Sequence, residues 1–229
     1  MEKLEVRKES LLDALVREYV HTAEPVGSLL LSEKTGRAVS AATVRSELVE
    51  LEREGFLTQP HTSAGRVPTE QAYRYFVEHL SHPRMPAYDV ALALGRALAD
   101  PDTREGLKAA AKILANESKE CVFVGFSPHD VYYTGLTQLF SKPEFSQRDM
   151  AINLSAVLDE LDGMIEKLDQ SKTPRALIGS ENPLHESCGT VYASHGIKGE
   201  NRLIGFFGLM RMDYEKIIGL MESVQNNKS

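Results

Sequence analysis

The sequence contains few of the residues that form disulfides or bind structural metal ions. Its 229 residues include two cysteines and no tryptophan. Cys121 and Cys188 form no CxxC pair, and only His185, three residues before Cys188, has a ligand-like spacing. A structural zinc site takes about four such ligands, and a disulfide is disfavoured in a reducing compartment. We therefore expect no metal site and no cofactor.

Long apolar runs are also missing. Nowhere do the roughly 18 apolar residues needed to span a bilayer follow one another, and residues 1–10 are too charged to form the core of a signal peptide. We expect a cytoplasmic protein without membrane contact. Apolar residues make up 42% and charged residues 26% of the chain, the ordinary balance of a folded globular protein. The length allows two small domains, each with its own core.

Basic side chains also do not outnumber acidic ones. The formal net charge is −7. Residues 1–82 hold 10 basic and 13 acidic side chains (−3), and residues 83–229 hold 16 and 20 (−4). This balance excludes binding to any phosphate backbone by bulk charge alone. Nucleic-acid binding would have to rely on a few well-placed cations, on helix N-termini and on dimerisation, which doubles the contacts.

Three helices are predicted in the first 55 residues. Apolar spacing predicts the first over residues 6–20 and a short second one over about 28–34, separated by a break at Pro25. Ser40 is a good N-cap for a third helix over residues 40–54, and Gly55 is a good C-terminal stop. The face of this helix expected to enter the core consists of Ala41, Val44, Leu48 and Leu51.

The opposite face of the third helix carries small and hydrogen-bonding side chains in its N-terminal half. Such a face can approach base edges closely. On this segment alone, an ordinary surface helix is an equally good interpretation. The residues of the face are Ala42, Thr43, Ser46, Val49 and Arg53, with Arg45 on its flank.

The segment after this helix favours DNA binding. Residues 56–59 predict a short strand, residues 60–68 a tight loop of small and polar residues, and Thr69 the cap of a last helix that runs to Leu80. This order is typical of a winged helix-turn-helix, whose loop hydroxyls and arginine can contact phosphates or a minor groove. The predicted DNA-binding residues are Ser40, Thr43, Arg45, Ser46, His61, Thr62, Ser63 and Arg66.

A linker with two closely spaced prolines, residues 81–86, predicts a boundary between a domain of residues 1–82 and one of residues 83–229. Helices are predicted over 88–99, 103–118, 148–168 and 213–224. Strands are predicted over 121–126, 131–134, 175–179, 189–195 and 203–209. This pattern indicates an α+β domain with a mainly antiparallel sheet.

Several strings resemble the HrcA family of heat-inducible repressors. They include SAATVR (residues 40–45), QPHTSAGRVPT (59–69) and GLMRMDYEKIIGLME (208–222). The resemblance implies an N-terminal winged helix-turn-helix followed by a GAF-like α+β domain. Full-length family members are longer and carry an inserted dimerising domain. Here the insertion and part of the GAF-like domain are expected to be absent, leaving a reduced domain.

The resemblance also implies a function. It predicts a non-enzymatic repressor of heat-shock chaperone operons that binds an inverted-repeat DNA operator as a homodimer, with the chaperonin as a further partner. Two departures bear on base preference. Ser46 stands where the family usually has Asn, and Leu29 and Leu30 stand where it has a basic residue followed by Thr.

Two alternatives stay open. One is a small-molecule sensor with a pocket lined by Tyr132 and Phe207. The other is a protein-interaction module that has lost DNA binding, which the acidic N-terminal domain favours. A thiol nucleophile at Cys188, with His185 or His195 as its base, is discounted because no partner acid is placed for it.

A charge criterion separates the DNA-binding hypothesis from the interaction module. A DNA-binding domain must show a positive stripe joining Arg45 and Arg66, with Lys34 or Arg37.

Overall fold

The chain divides into two compact units, Met1–Ser81 and His82–Ser229. The structure is a computed structural model that describes residues 4–35, 39–100, 103–127, 129–146, 163, 165, 167–183, 185–197 and 200–226. None of the helices among these residues is long and apolar enough to cross a membrane.

The N-terminal unit contains helices and one short hairpin. Its elements are α1 (Val6–Thr22), α2 (Ser28–Lys34), α3 (Ala41–Arg53), β1 (Leu57–Thr58), β2 (Val67–Pro68) and α4 (Glu70–Glu78). Both predicted caps are present, since the hydroxyls of Ser40 and Thr69 accept hydrogen bonds from the backbone of the first helical turn. Val44, Leu48 and Leu51 are buried, which confirms most of the predicted core face of α3.

The C-terminal unit combines helices with one larger sheet. Its helices are α5 (Tyr88–Leu98), α6 (Thr103–Ser118), α7 (Leu136–Phe140) and α8 (Tyr214–Asn226), with short 3-10 segments at Pro143–Ser146 and Gly179–Glu181. Its strands are β3 (Cys121–Ser127), β4 (Asp130–Thr134), β5 (Arg175–Ile178), β6 (Cys188–Ile197) and β7 (Glu200–Leu209).

The five strands lie in the order β4-β3-β7-β6-β5, and every neighbouring pair is antiparallel. The predicted α+β class with a mainly antiparallel sheet is therefore confirmed. The helix predicted over residues 148–168 lies mostly outside the described residues. Near its end, Ile165 and Leu168 are buried in a core cluster with Phe123 and Phe207.

The register of this sheet separates two aromatic residues that were expected to share a pocket. Tyr132 pairs with Val124, and Phe207 pairs with Cys121. Paired residues point to the same face, and residues three apart on a strand point to opposite faces. Tyr132 and Phe207 therefore lie on opposite faces of the sheet, and a pocket lined by both, which would favour a small-molecule sensor, does not form.

Candidate nucleic-acid interface

The N-terminal half of α3 presents short polar side chains to solvent. The Thr43 backbone N–H donates to Ser40 Oγ at 3.2 Å, and the two hydroxyl oxygens lie 3.0 Å apart. Ser40, Thr43, Arg45 and Ser46 are all exposed. The cap is therefore held by its own hydroxyl pair, and the first turns of the helix are open to a large ligand. Val49, 49% exposed, extends this surface.

Arg45 is the available cation of this surface. Among the residues that the structure describes, it has neither an ion pair nor a hydrogen bond with another side chain. Its guanidinium is exposed and carries five donors in a planar fork, the geometry that matches phosphate and guanine acceptors.

The C-terminal half of α3 is acidic, and part of that charge is neutralised by α1. Lys8 Nζ lies 2.8 Å from carboxylate oxygens of both Glu50 and Glu54. The hydrogen bond and the charge of Lys8 lower the pKa of Glu50, and the two carboxylates raise the pKa of Lys8. One lysine therefore offsets repulsion that two glutamates would otherwise exert on an approaching phosphate backbone.

A second ion pair joins α1 to a buried carboxylate of α3. Glu47 is 4% exposed, and its partner is Arg7. The two side chains form an ion pair, but no described residue donates a well-directed hydrogen bond to the Glu47 carboxylate. A buried carboxylate needs such a counter-charge because desolvation strongly penalises an isolated ion. Arg7 therefore anchors α3 against α1.

The hairpin that follows α3 has an exposed and internally organised tip. Strands β1 and β2 pair antiparallel, and the intervening His61, Thr62 and Ser63 are exposed. Gln59 Nε2 donates to the carbonyl oxygens of Thr62 and Ala64 at 3.1 and 2.8 Å. This side chain holds the backbone of the tip, so the three polar side chains point from an ordered loop.

Arg66 differs from the other predicted contact residues. Its side chain is 14% exposed, and Nε and Nη2 donate to Glu52 Oε2 at 3.1 and 2.9 Å. Its backbone N–H donates to Val26 O at 2.9 Å and its carbonyl oxygen accepts from Val26 N–H at 2.8 Å. Arg66 therefore ties the base of the hairpin to α3 and to the turn before α2, instead of standing free at the tip.

Two described members of the expected positive stripe are already ion-paired within the N-terminal unit. Lys34 forms an ion pair with Glu18, and Arg66 is occupied by its own carboxylate partner. Arg37 lies outside the described residues. Arg45 is thus the one described member of the expected stripe whose charge is uncompensated. On α2, Leu29 is 66% and Leu30 37% exposed. These positions present an apolar surface where the family resemblance implies a basic residue followed by Thr.

Sequence reasoning missed the groups that position this surface: Arg7, Lys8, Glu52 and Gln59. A partial signal existed, because glutamates at positions 47, 50 and 54 recur at the spacing of one helix face. Their cations come from α1, 40 or more residues away along the chain. No local pattern identifies such a partner.

The two cysteines are buried free thiols. Burial raises the pKa of both the Cys121 and the Cys188 thiols to about 12, so neither is a thiolate at neutral pH. In the part of the chain that the structure describes, no group of three histidine, cysteine or acidic side chains could hold a metal ion.

Comparison with solved structures shows the fold. A crystal structure described as that of a hypothetical protein aligns over 99% of this chain and 98% of its own, with a TM-score of 0.81 and 19% identity. The likeness covers both units.

Comparison with protein families and curated relatives is more specific. The family model described as the HrcA protein C-terminal domain matches residues 42–218. A protein named heat-inducible transcription repressor HrcA, from Synechococcus elongatus, is 36% identical over 210 residues, covering 80% of this chain and 59% of its own. Its namesake from Shouchella clausii is 32% identical, covering 93% and 62%.

Identity is higher over shorter aligned stretches of some relatives. The HrcA of a Nocardioides strain is 56% identical over 77 residues, covering 34% of this chain and 23% of its own. This chain spans less than two thirds of the length of each of these relatives. The family model and the similarity along most of the chain show that it belongs to the HrcA family.

Proposed function

We propose that this chain is a sequence-specific DNA-binding transcription repressor of heat-shock chaperone operons. In this proposal residues 1–82 form a winged helix-turn-helix and residues 83–229 a reduced GAF-like regulatory domain. The protein acts without catalysis in the cytoplasm, binds an inverted-repeat operator as a homodimer, and has the chaperonin as a further partner. The names of the relatives, heat-inducible transcription repressor HrcA, support the regulatory part.

The proposed mechanism is steric occlusion of a promoter. The helix that starts at Ser40 enters the major groove, where Thr43, Arg45 and Ser46 meet base edges or phosphates. The hairpin tip, with His61, Thr62 and Ser63, contacts the flanking backbone. Arg66 contributes by holding the hairpin in place.

One observation carries the proposal: the exposed half of α3 is polar and carries an unpaired cation, whereas most of the charge of its acidic half is offset within the unit. Lys8 pairs with Glu50 and Glu54, and Arg66 pairs with Glu52. An acidic domain can approach DNA only if its carboxylates are compensated near the contact surface. The ion pairs meet that requirement without a basic domain.

The decisive variant is Arg45→Ala, with Arg53→Ala as its control. Both arginines are exposed on α3, and their eight-residue separation places Arg53 about 12 Å further along the helix. We expect Arg45→Ala to weaken operator binding by roughly tenfold or more and Arg53→Ala to change it much less. Fluorescence anisotropy with an inverted-repeat operator and a scrambled duplex, at two salt concentrations, measures both.

The scrambled duplex assigns the role of Arg45. A loss confined to the operator indicates contact with a base, whereas an equal loss on both duplexes, with a shallower salt dependence, indicates contact with phosphate. If Arg45→Ala binds the operator as tightly as the parent protein, α3 is not the recognition helix.

A second candidate function is a protein-interaction module that has lost DNA binding. It is favoured by the exposed Leu29 and Leu30 on α2 and by the ion pairing of Lys34 and Arg66. Equal and weak binding to operator and scrambled DNA by the parent protein would favour this module.

A further inference from the structure

Helix α5 turns an apolar strip toward solvent. Its inner side is buried through Leu94 and Leu98, where α5 contacts α6 and α8. On its outer side, Tyr88 is 82% and Leu92 42% exposed. Met85, just before the helix, is 52% exposed. Neighbouring aromatic and aliphatic side chains that are exposed to solvent are typical of an interaction surface.

Two opposite charges flank this strip. Asp89 and Arg96 are seven residues apart, which is nearly two helical turns, so they lie on the same side of the strip. Both are exposed. Within the described part of the chain, neither has an ion-pair partner. Surface charges left unpaired beside an apolar strip are suited to pair with a second molecule.

The strip is complementary to itself. If a second α5 runs antiparallel about a two-fold axis at Leu92, Leu92 meets its own copy and Tyr88 faces Arg96 of the other copy. Asp89 lies within one residue, about 1.5 Å, of the position opposite Arg96, and the pair forms twice because of the symmetry. An arginine over a tyrosine ring adds a cation–π contact.

We propose that the outward face of α5, formed by Tyr88, Asp89, Leu92 and Arg96, is a contact between two copies of this chain. The two α5 helices pack antiparallel around Leu92. This contact would form the homodimer of the proposed function, and it rests on that part of the proposed function.

The size of the strip sets the strength of the dimer. Eleven residues span about 16 Å, so one helix pair buries less area than a stable interface of standard size. The α5 contact alone gives a weak dimer, which simultaneous binding to two DNA half-sites would reinforce. Free protein is therefore expected to exchange between monomer and dimer as its concentration changes.

Cross-linking tests the two-fold axis directly. A Leu92→Cys variant places identical thiols at the axis, within the Cα separation that a disulfide requires. The native Cys121 and Cys188 are buried and free, so they provide little background. Tyr133→Cys is the matched control, because Tyr133 is also a 42% exposed apolar side chain but lies on β4. Under mild oxidation, we expect covalent dimer from Leu92→Cys and much less from Tyr133→Cys.

Charge reversal tests the antiparallel pairing. Asp89→Arg and Arg96→Asp should each raise the dimer dissociation constant by about tenfold or more, since each places like charges together twice. The double variant exchanges the charges and should return the constant to near the parent value. Analytical ultracentrifugation measures the constants, and circular dichroism confirms that every variant is folded.

The outcomes separate the proposals. Equal cross-linking of the Leu92→Cys and Tyr133→Cys variants, or a double variant as weak as the single ones, overturns the α5 interface. Neither experiment contains DNA, so such a result leaves the DNA-binding proposal standing.

Discussion

Arg66 is the predicted DNA-binding residue whose side chain and backbone are both engaged within the N-terminal unit. Its guanidinium is held by Glu52, and its backbone is held by Val26. Arg66 is therefore a positioning residue: it fixes where the hairpin leaves the helix. A direct phosphate contact would require the guanidinium to leave this carboxylate.

Hairpin positioning and direct phosphate contact, the two roles open to Arg66, predict opposite effects of Glu52→Gln on DNA binding. Removing a negative charge near DNA ordinarily strengthens binding. If Arg66 acts by positioning the hairpin, the loss of the carboxylate loosens the hairpin and weakens binding to all sequences by a few-fold, and we expect the same of Arg66→Ala. Anisotropy titrations of both variants measure this effect. Tighter DNA binding by Glu52→Gln would mean that Arg66 is released to contact phosphate directly.

Glu120 is a second residue whose surroundings determine its chemistry. It is 3% exposed at the start of β3, next to Lys142. Burial raises the pKa of Glu120 from its ordinary value of 4.5 to about 7, and the charge of Lys142 opposes that rise. Between these values the folded protein retains a proton that the unfolded chain releases.

This difference makes stability depend on pH. Stability contributed by protonated Glu120 is fully present below pH 4.5 and is lost as the pH rises through about 7. A Glu120→Gln variant has no such loss. We therefore expect its melting temperature, relative to that of the parent protein, to increase between pH 4.5 and pH 7. Calorimetry across this range measures the difference, and a constant difference would contradict the assignment.

At the scale of elements, the hairpin depends on a close approach of two backbones. A Cβ added at Gly65 would lie 2.4 Å from the carbonyl carbon and oxygen of Val26. The backbone hydrogen bonds between Val26 and Arg66 require this approach. Glycine at position 65 therefore allows the base of the hairpin to pack against the turn before α2.

Gly65→Ala should disrupt that packing. We expect the free energy of unfolding to fall by about 1–3 kcal/mol, because the clash is with backbone that cannot rotate away, and DNA affinity to fall with it. Gly27→Ala is the control, since a Cβ at Gly27 has no heavy atom within 4 Å. Urea denaturation of the two variants provides the comparison. Equal losses would show that the approach at Gly65 is not needed.

Helix α3 shows how one element can carry two roles. Its first turns are exposed and polar, whereas its later turns pack on the core and pair with α1 and the hairpin. The buried Glu47 and its partner Arg7 belong to the second role. If the proposed DNA contact forms, positioning and contact are separated along the helix, and substitutions in the two halves should affect different properties.

At the scale of the whole molecule, the net charge of −7 opposes unspecific attraction to DNA. A protein that neutralises few phosphates has a shallow dependence of affinity on salt. In the proposed function, dimerisation would compensate for this weakness, since two α3 helices on one operator double the contacts. The proposed α5 contact supplies that second copy without a large interface.

Much of the secondary structure follows from the sequence itself. Helix starts such as those at Ser40 and Thr69, and the apolar spacing of α3, are local features that act within about four residues. The five predicted strands of the C-terminal unit are likewise set by short patterns of apolar and β-branched residues. The exposed positions of Thr43, Ser46 and His61 also follow from these patterns.

Only the tertiary structure decided which charges are free and which apolar faces are open. Arg45 and Arg66 are the same residue type in the same unit, but a carboxylate from α3 holds one of them. Helix α5 carries leucine on both sides, and packing against α6 and α8 determines that Leu94 is buried and Leu92 exposed. Such contacts join residues distant in the chain, and local periodicity contains no information about them.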